Sequence, residues 1–161
     1  MSQTRKKHVH LSAARLFAVQ AVYQMIKNDN TAAQAVYDFL NHHIPNAIHQ
    51  DSNLAEPDKE HFSKIVQGAE NREGDLVPVL AVAYKAQNDV AAIAKTKQSE
   101  PLLYAILLCA SYELLAHHEI DPPVIINDYL DVAHAFFEKG EVKLINATLD
   151  KAAGAVRDQA E

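Results

Sequence analysis

From Leu11 to Lys27 apolar residues fall at Leu11, Ala14, Ala18, Ala21, Val22 and Met25, the three-and-four spacing of one helix face. Ser12 can cap this helix, with a start one turn earlier as the alternative. Asn28-Asp29-Asn30 ends it. Thr31 can cap a second helix, Ala32 to His42, which places Ala35, Phe39 and His42 on one side; Pro45 closes it. The stretch Ile44–Ala55 has no period and reads as a loop. Pro57 stands where a first helical residue would, with Asp58 and Glu60 in the favourable first turn. Phe62, Ile65, Val66 and Ala69 form a stripe whose register runs on through Gly74 and Pro78 to Leu80, Ala83 and Tyr84. Pro78 lacks a backbone donor, so a kink or break is expected there. A short helix from about Asp89 to Lys95 follows.

Ser99-Glu100-Pro101 is another start signal. The helix after it, Leu102 to His117, is apolar on nearly every side and belongs at the centre of a bundle. Pro122-Pro123 opens the next, Val124 to Phe137, which carries two stripes: Ile126-Leu130-Ala133-Phe137 and Ile125-Tyr129-Val132-Phe136. One stripe can face the core; the other needs a second neighbour or a partner. After Gly140 a last helix, Glu141 to Arg157, keeps Val142, Ile145, Leu149, Ala152, Ala153 and Val156 in register. No segment shows strand alternation, so the predicted fold is all-α, a bundle of about seven helices in one domain. Residues 1–10 read as a flexible basic arm.

Charge sharpens this picture. The formal net charge of the 161 residues is −6. Up to Asn28 the cations are Arg5, Lys6, Lys7, Arg15 and Lys27, with no acid, giving +5; the remaining 10 basic and 21 acidic residues give −11. The amino end can attract phosphate while the body repels it. Catalytic chemistry has no visible constellation. The glycines are scattered, which excludes a phosphate-cradling loop. The nine histidines lack helix-spaced partners for a metal, so no metal or other cofactor is expected. Glu113 and His117 read as an ordinary surface pair. Cys109 lies within the most apolar helix, where burial raises a thiol pKa and makes it inert. With one Cys, no secretory signal and no apolar run long enough to span a bilayer, a cytoplasmic, non-membrane protein is expected. What remains is the basic segment beside a helix presenting Arg15, Gln20 and Tyr23. Those residue types can neutralise phosphate and stack on or hydrogen-bond unpaired bases.

Four collinear blocks add a resemblance. Ala14-Arg15-Leu16-Phe17-Ala18-Val19-Gln20-Ala21-Val22-Tyr23-Gln24 is similar to the opening helix of the NusB transcription antitermination factors, A-R-x-x-A-x-Q-A-L-Y-Q. Ile106 to Leu115, Val124 to Phe137 and Leu144-Ile145-Asn146-Ala147-Thr148-Leu149-Asp150-Lys151 resemble their later helices in order and spacing. The resemblance implies two small helical subdomains and a non-enzymatic role. In that role the protein, with a small-subunit ribosomal protein acting as NusE, binds single-stranded boxA-type RNA. The pair loads onto the RNA polymerase elongation complex and promotes ribosomal RNA transcription. By position it implies RNA contacts at Arg5, Lys6, Lys7, Arg15, Phe136 and Asn146, and a partner contact at Tyr23, with Glu100 near a second. Tyr23, off the main apolar stripe, is expected to be at least partly exposed, and Arg15→Ala to weaken RNA binding without unfolding the protein.

The chain departs from the family pattern. His10, Leu11, Ser12 and Ala13 stand where an arginine cluster is common, Leu108 replaces an arginine and Leu103 a carboxylate, and Leu144 and Ala147 replace a phenylalanine and a glycine. The alternative is therefore a helical interaction module with weakened or lost RNA binding. A homodimer also stays open.

Overall fold

The computed structural model describes residues 3–85 and 88–157, with side chains from Lys7 onward. The chain forms α1 (Gln3–Asn28), α2 (Ala32–Asp38), a π-helical turn (Phe39–His43), α3 (Ile44–Gln50), α4 (Lys59–Ala83), α5 (Val90–Ser99), α6 (Pro101–Ala116), α7 (Pro122–His134) and α8 (Lys139–Arg157). Since α2, the π turn and α3 run on without a break, these make seven continuous helical rods, and no strand occurs among the described residues.

The centre is α6. All residues from Leu103 to Ser111 are buried, with Glu113 and Leu114, and α1, α4, α5, α7 and α8 all pack on it. Apolarity on every side leaves this helix no solvent face, so it must be enclosed. α1 lays Ala14, Phe17, Ala18, Ala21 and Val22 against it, and α4 adds Phe62, Ile65, Val66, Ala69, Leu76 and Leu80. Both stripes of α7 find neighbours: Ile125, Ile126, Tyr129, Val132 and Ala133 are buried among α1, α6 and α8. One contiguous apolar cluster results.

Local chemistry accounts for the helix ends. Thr31 and Gln34 form a reciprocal cap at α2, 3.2 Å and 2.9 Å. Asp89 caps α5 by accepting from the Ala91 N–H at 2.9 Å. Arg157 closes the other end of α6: its guanidinium donates to the carbonyls of Leu114, His117 and Ile120 at 2.6, 3.0 and 3.1 Å. Those carbonyls have no helical partner, and the cation meets the negative end of the helix dipole.

The structure corrects several expected helix boundaries. α1 begins at Gln3, so residues 3–10 of the segment read as an arm are helical, residues 1 and 2 lying outside the described residues. Ile44–Gln50 is helical rather than looped, and Pro45 does not close the preceding helix. The π turn explains it: the Ile44 N–H donates to Phe39 O, five residues back, and the widened register lets a residue without an N–H follow. Pro57 lies outside α4, whose cap is Asp58, accepting from the His61 N–H at 2.9 Å. α4 runs through Pro78 without the break that is one of the two outcomes expected there; the carbonyl that loses its partner belongs to Gly74, which is exposed and so open to solvent. α7 ends at His134, three residues early, which swings Phe136 out to 47% exposure.

Candidate nucleic-acid interface

Two sets of residues meet around α1. The first is a buried ionic network. Arg15, fully buried, donates through Nε and Nη2 to both oxygens of Glu113 at 2.8 and 3.0 Å, and through Nη1 to Asp128 Oδ2 at 2.9 Å. Glu113 also accepts from His61 Nε2 at 2.7 Å and from the Tyr129 hydroxyl at 2.5 Å. Ser12 Oγ donates to Asp128 Oδ1 at 2.7 Å. One cation thus ties α1 to α6 and α7, and its carboxylate partner reaches α4.

Burial alone pushes the Glu113 carboxyl up, but hydrogen bonds from His61 and Arg15 and their charges together outweigh it and bring the group down to about 2. Burial likewise opposes the Arg15 charge, and Glu113 and Asp128 more than restore it. The network overturns two readings. Arg15 does not face RNA: its guanidinium has no solvent access and its donors are engaged by carboxylates. Glu113 is no surface residue, and it pairs with His61 rather than His117, whose Nδ1 lies 3.0 Å from Glu119. Cys109 is fully buried, and burial pushes its thiol up, as expected of an inert residue.

The second set is a groove of about 440 Å³ lined by Gln20, Tyr23, Gln24, His43, Leu102 and Phe136. It brings Tyr23 and Phe136 together although 113 residues separate them. Tyr23 is half-buried, as expected, and Phe136 is largely free. The π turn delivers His43 here. Its ring stacks on Phe39, centroids 4.2 Å apart, meets the edge of Phe17 at 6.0 Å, and its Nε2–H donates to Gln20 Oε1 at 3.1 Å. Burial lowers the His43 pKa, so the imidazole is neutral at pH 7. Sequence reasoning missed His43, although Phe39 and His43 one turn apart gave a signal for a packed ring.

The other expected site residues lie apart from this groove. Lys7 is exposed beside a cleft that includes Asp58, Glu60, Lys64 and Glu119. The side chains of Arg5 and Lys6 lie outside the described residues. Asn146 is exposed on α8, and Glu100 is exposed at the start of α6. Leu108 is 97% buried and borders a separate groove of about 250 Å³ that carries Asp29, Glu70 and Glu73. Among the described residues no group of three or more His, Cys, Asp or Glu is placed to hold a metal ion. No helix there is long and apolar enough to cross a membrane.

Fold and groove together define an all-α bundle with an uncharged aromatic groove on one face. The chain belongs to the NusB family, whose model matches residues 12–154. The transcription antitermination protein NusB of Rhizobium rhizogenes is 34% identical over 149 residues, 92% of this chain and 89% of its own. That of Maricaulis maris is 32% identical over 145 residues, 90% and 86% of the two chains. The structure of NusB from T. maritima matches with a TM-score of 0.66 over 99% of this chain and 97% of its own at 18% identity, a likeness of fold.

Proposed function

We propose that this protein is an RNA-binding transcription antitermination factor without catalytic activity, acting in the cytoplasm. With a small-subunit ribosomal protein in the NusE role it binds boxA-type single-stranded RNA, joins the RNA polymerase elongation complex and promotes ribosomal RNA transcription. The observation that carries this reading is the groove shared by Tyr23 and Phe136: aromatic, amide-lined and free of carboxylate on an otherwise acidic body. Single-stranded RNA is bound through aromatic platforms supplemented by cations. Arg5, Lys6 and Lys7 near the start of α1 supply the cations, Asn146 on α8 adds a further RNA contact, and Glu100 serves the ribosomal partner.

Titration of boxA-type RNA with and without the basic ribosomal protein tests the reading. With Arg15 removed from the phosphate contacts, three cations remain. Affinity should fall with salt at a log–log slope of about −2, taking about 0.7 per phosphate, and binding should tighten when the ribosomal protein joins. The interaction-module reading is favoured by one observation, the withdrawal of Arg15 and Leu108 into the core. Absence of RNA binding at low salt with the partner present would establish it instead.

A further inference from the structure

The groove also contains an orientation device. His43 Nε2–H donates to Gln20 Oε1, which fixes the Gln20 amide and directs its NH2 group away from His43. The imidazole cannot turn, since Phe39 stacks on it and Phe17 closes its edge. A neutral ring held this way presents a fixed hydrogen-bond pattern and no charge. Beside it stands the exposed ring of Phe136. A flat face next to an oriented amide donor is the arrangement that recognises an unpaired base: the ring stacks and the amide reads the edge.

Charge selects this occupant over a peptide of the ribosomal protein. Four other grooves on the described surface each include at least one carboxylate, whereas this one has none. A basic peptide is drawn to carboxylates. A nucleotide, which brings its phosphate with it, is repelled by them.

We propose that the groove takes one unpaired RNA base, stacked on Phe136, and that Gln20, held in a single orientation by the positioning residue His43, selects a base with a carbonyl at the edge it meets. Uracil and guanine carry a carbonyl where cytosine and adenine carry an amino group, so a fixed NH2 donor discriminates between these pairs. This inference rests on the RNA-binding reading.

The test uses the full chain with the basic ribosomal protein and a set of 12-nucleotide boxA-type RNAs. At each position in turn the base is uracil, cytosine or absent, and binding is read by fluorescence anisotropy. At one position, loss of the base should weaken binding about ten-fold, the scale of one base–aromatic stack. Phe136→Ala should produce the same loss and add nothing on RNA already abasic there. Uracil should be preferred to cytosine at that position about five-fold, the scale of one hydrogen bond. His43→Phe keeps the stacked ring but frees the amide to flip, so the preference should fall towards one while affinity for the uracil RNA stays within a few-fold. His43→Gln, which can donate to Gln20, should restore it. If His43→Phe does not fold, Gln20→Met should abolish the same preference.

A salt-dependent RNA complex with no position coupled to Phe136 overturns this inference and leaves the RNA reading standing. A coupled position whose preference survives both His43→Phe and Gln20→Met overturns the roles of His43 and Gln20. If Phe136→Ala weakens capture of the ribosomal protein alone, the groove takes peptide. No RNA binding under any condition defeats the RNA reading and this inference with it.

Discussion

Arg15 shows how a single side chain can be misassigned from its type. A guanidinium in a basic amino-terminal segment suggests phosphate, yet here it stands inside the core with Glu113 on one side and Asp128 on the other. Removing one partner of a buried pair leaves an uncompensated charge in a low dielectric. Arg15→Ala should therefore destabilise the fold by about 3–5 kcal/mol, read from urea denaturation, and should affect RNA only through the folded fraction. An RNA defect in a variant of unchanged stability would contradict this.

Glu113 gives the same network a pH signature. Its carboxyl is lowered from an ordinary 4.5 to about 2 on folding, so the unfolded chain binds the proton more readily. The stabilisation is complete above pH 4.5 and is lost as pH falls towards 2, by roughly 3 kcal/mol in all. Urea midpoints measured from pH 6 to pH 2.5 should fall steeply in the lower half of that range, and Glu113→Gln should flatten that part of the profile at the cost of lower stability at pH 6.

Among the elements, α4 and α6 meet where only glycine fits. A Cβ on Gly68 would lie 2.1 Å from the Tyr112 ring, which is itself set edge-on to His117 at 5.6 Å. Gly68→Ala gains helix propensity but forces that ring aside, with a net loss of about 1–3 kcal/mol expected; thermal denaturation with and without Tyr112→Ala checks it, since removing the ring should turn the loss into a gain.

The helices themselves were legible because their apolar residues recur at helical spacing and α6 is apolar all round. What escaped were features that depend on pairing across the chain. The π turn and α3 lie in a segment without strong periodicity, and the turn is held by Phe39 on Phe62 of α4 and by His43 on Phe17 and Gln20 of α1 rather than by its own pattern. The ionic network was written in the sequence in a form that went unread: Arg15, Glu113 and Asp128 each sit within an apolar stretch, and a charge on a buried helix needs an opposite charge on its neighbour. Of the site, Tyr23 and Phe136 were readable from helix position and family resemblance. His43 was not, because the π turn that aims it has no simple sequence signature.

At the scale of the whole molecule, the last described helix returns to fasten the centre. Arg157 caps three carbonyls at and just beyond the end of α6. Its replacement by Ala should cost about 2 kcal/mol, the scale of charge-assisted bonds to partly buried acceptors. Hydrogen exchange should show the loss at the last turn of α6 and the loop to α7 before anywhere else. Protection unchanged there would mean that the cap contributes little.

The same closure from afar governs how the molecule comes into being. Arg15 is made early, but Glu113 follows it by 98 residues and Asp128 by 113. At a ribosome's pace of about 5–20 residues per second, the arginine waits roughly 5 to 20 seconds for its first partner. Through that interval α1 carries a charge whose carboxylate partners do not yet exist, so the guanidinium stays solvated and the core around Arg15 closes only once α6 and α7 have left the ribosome.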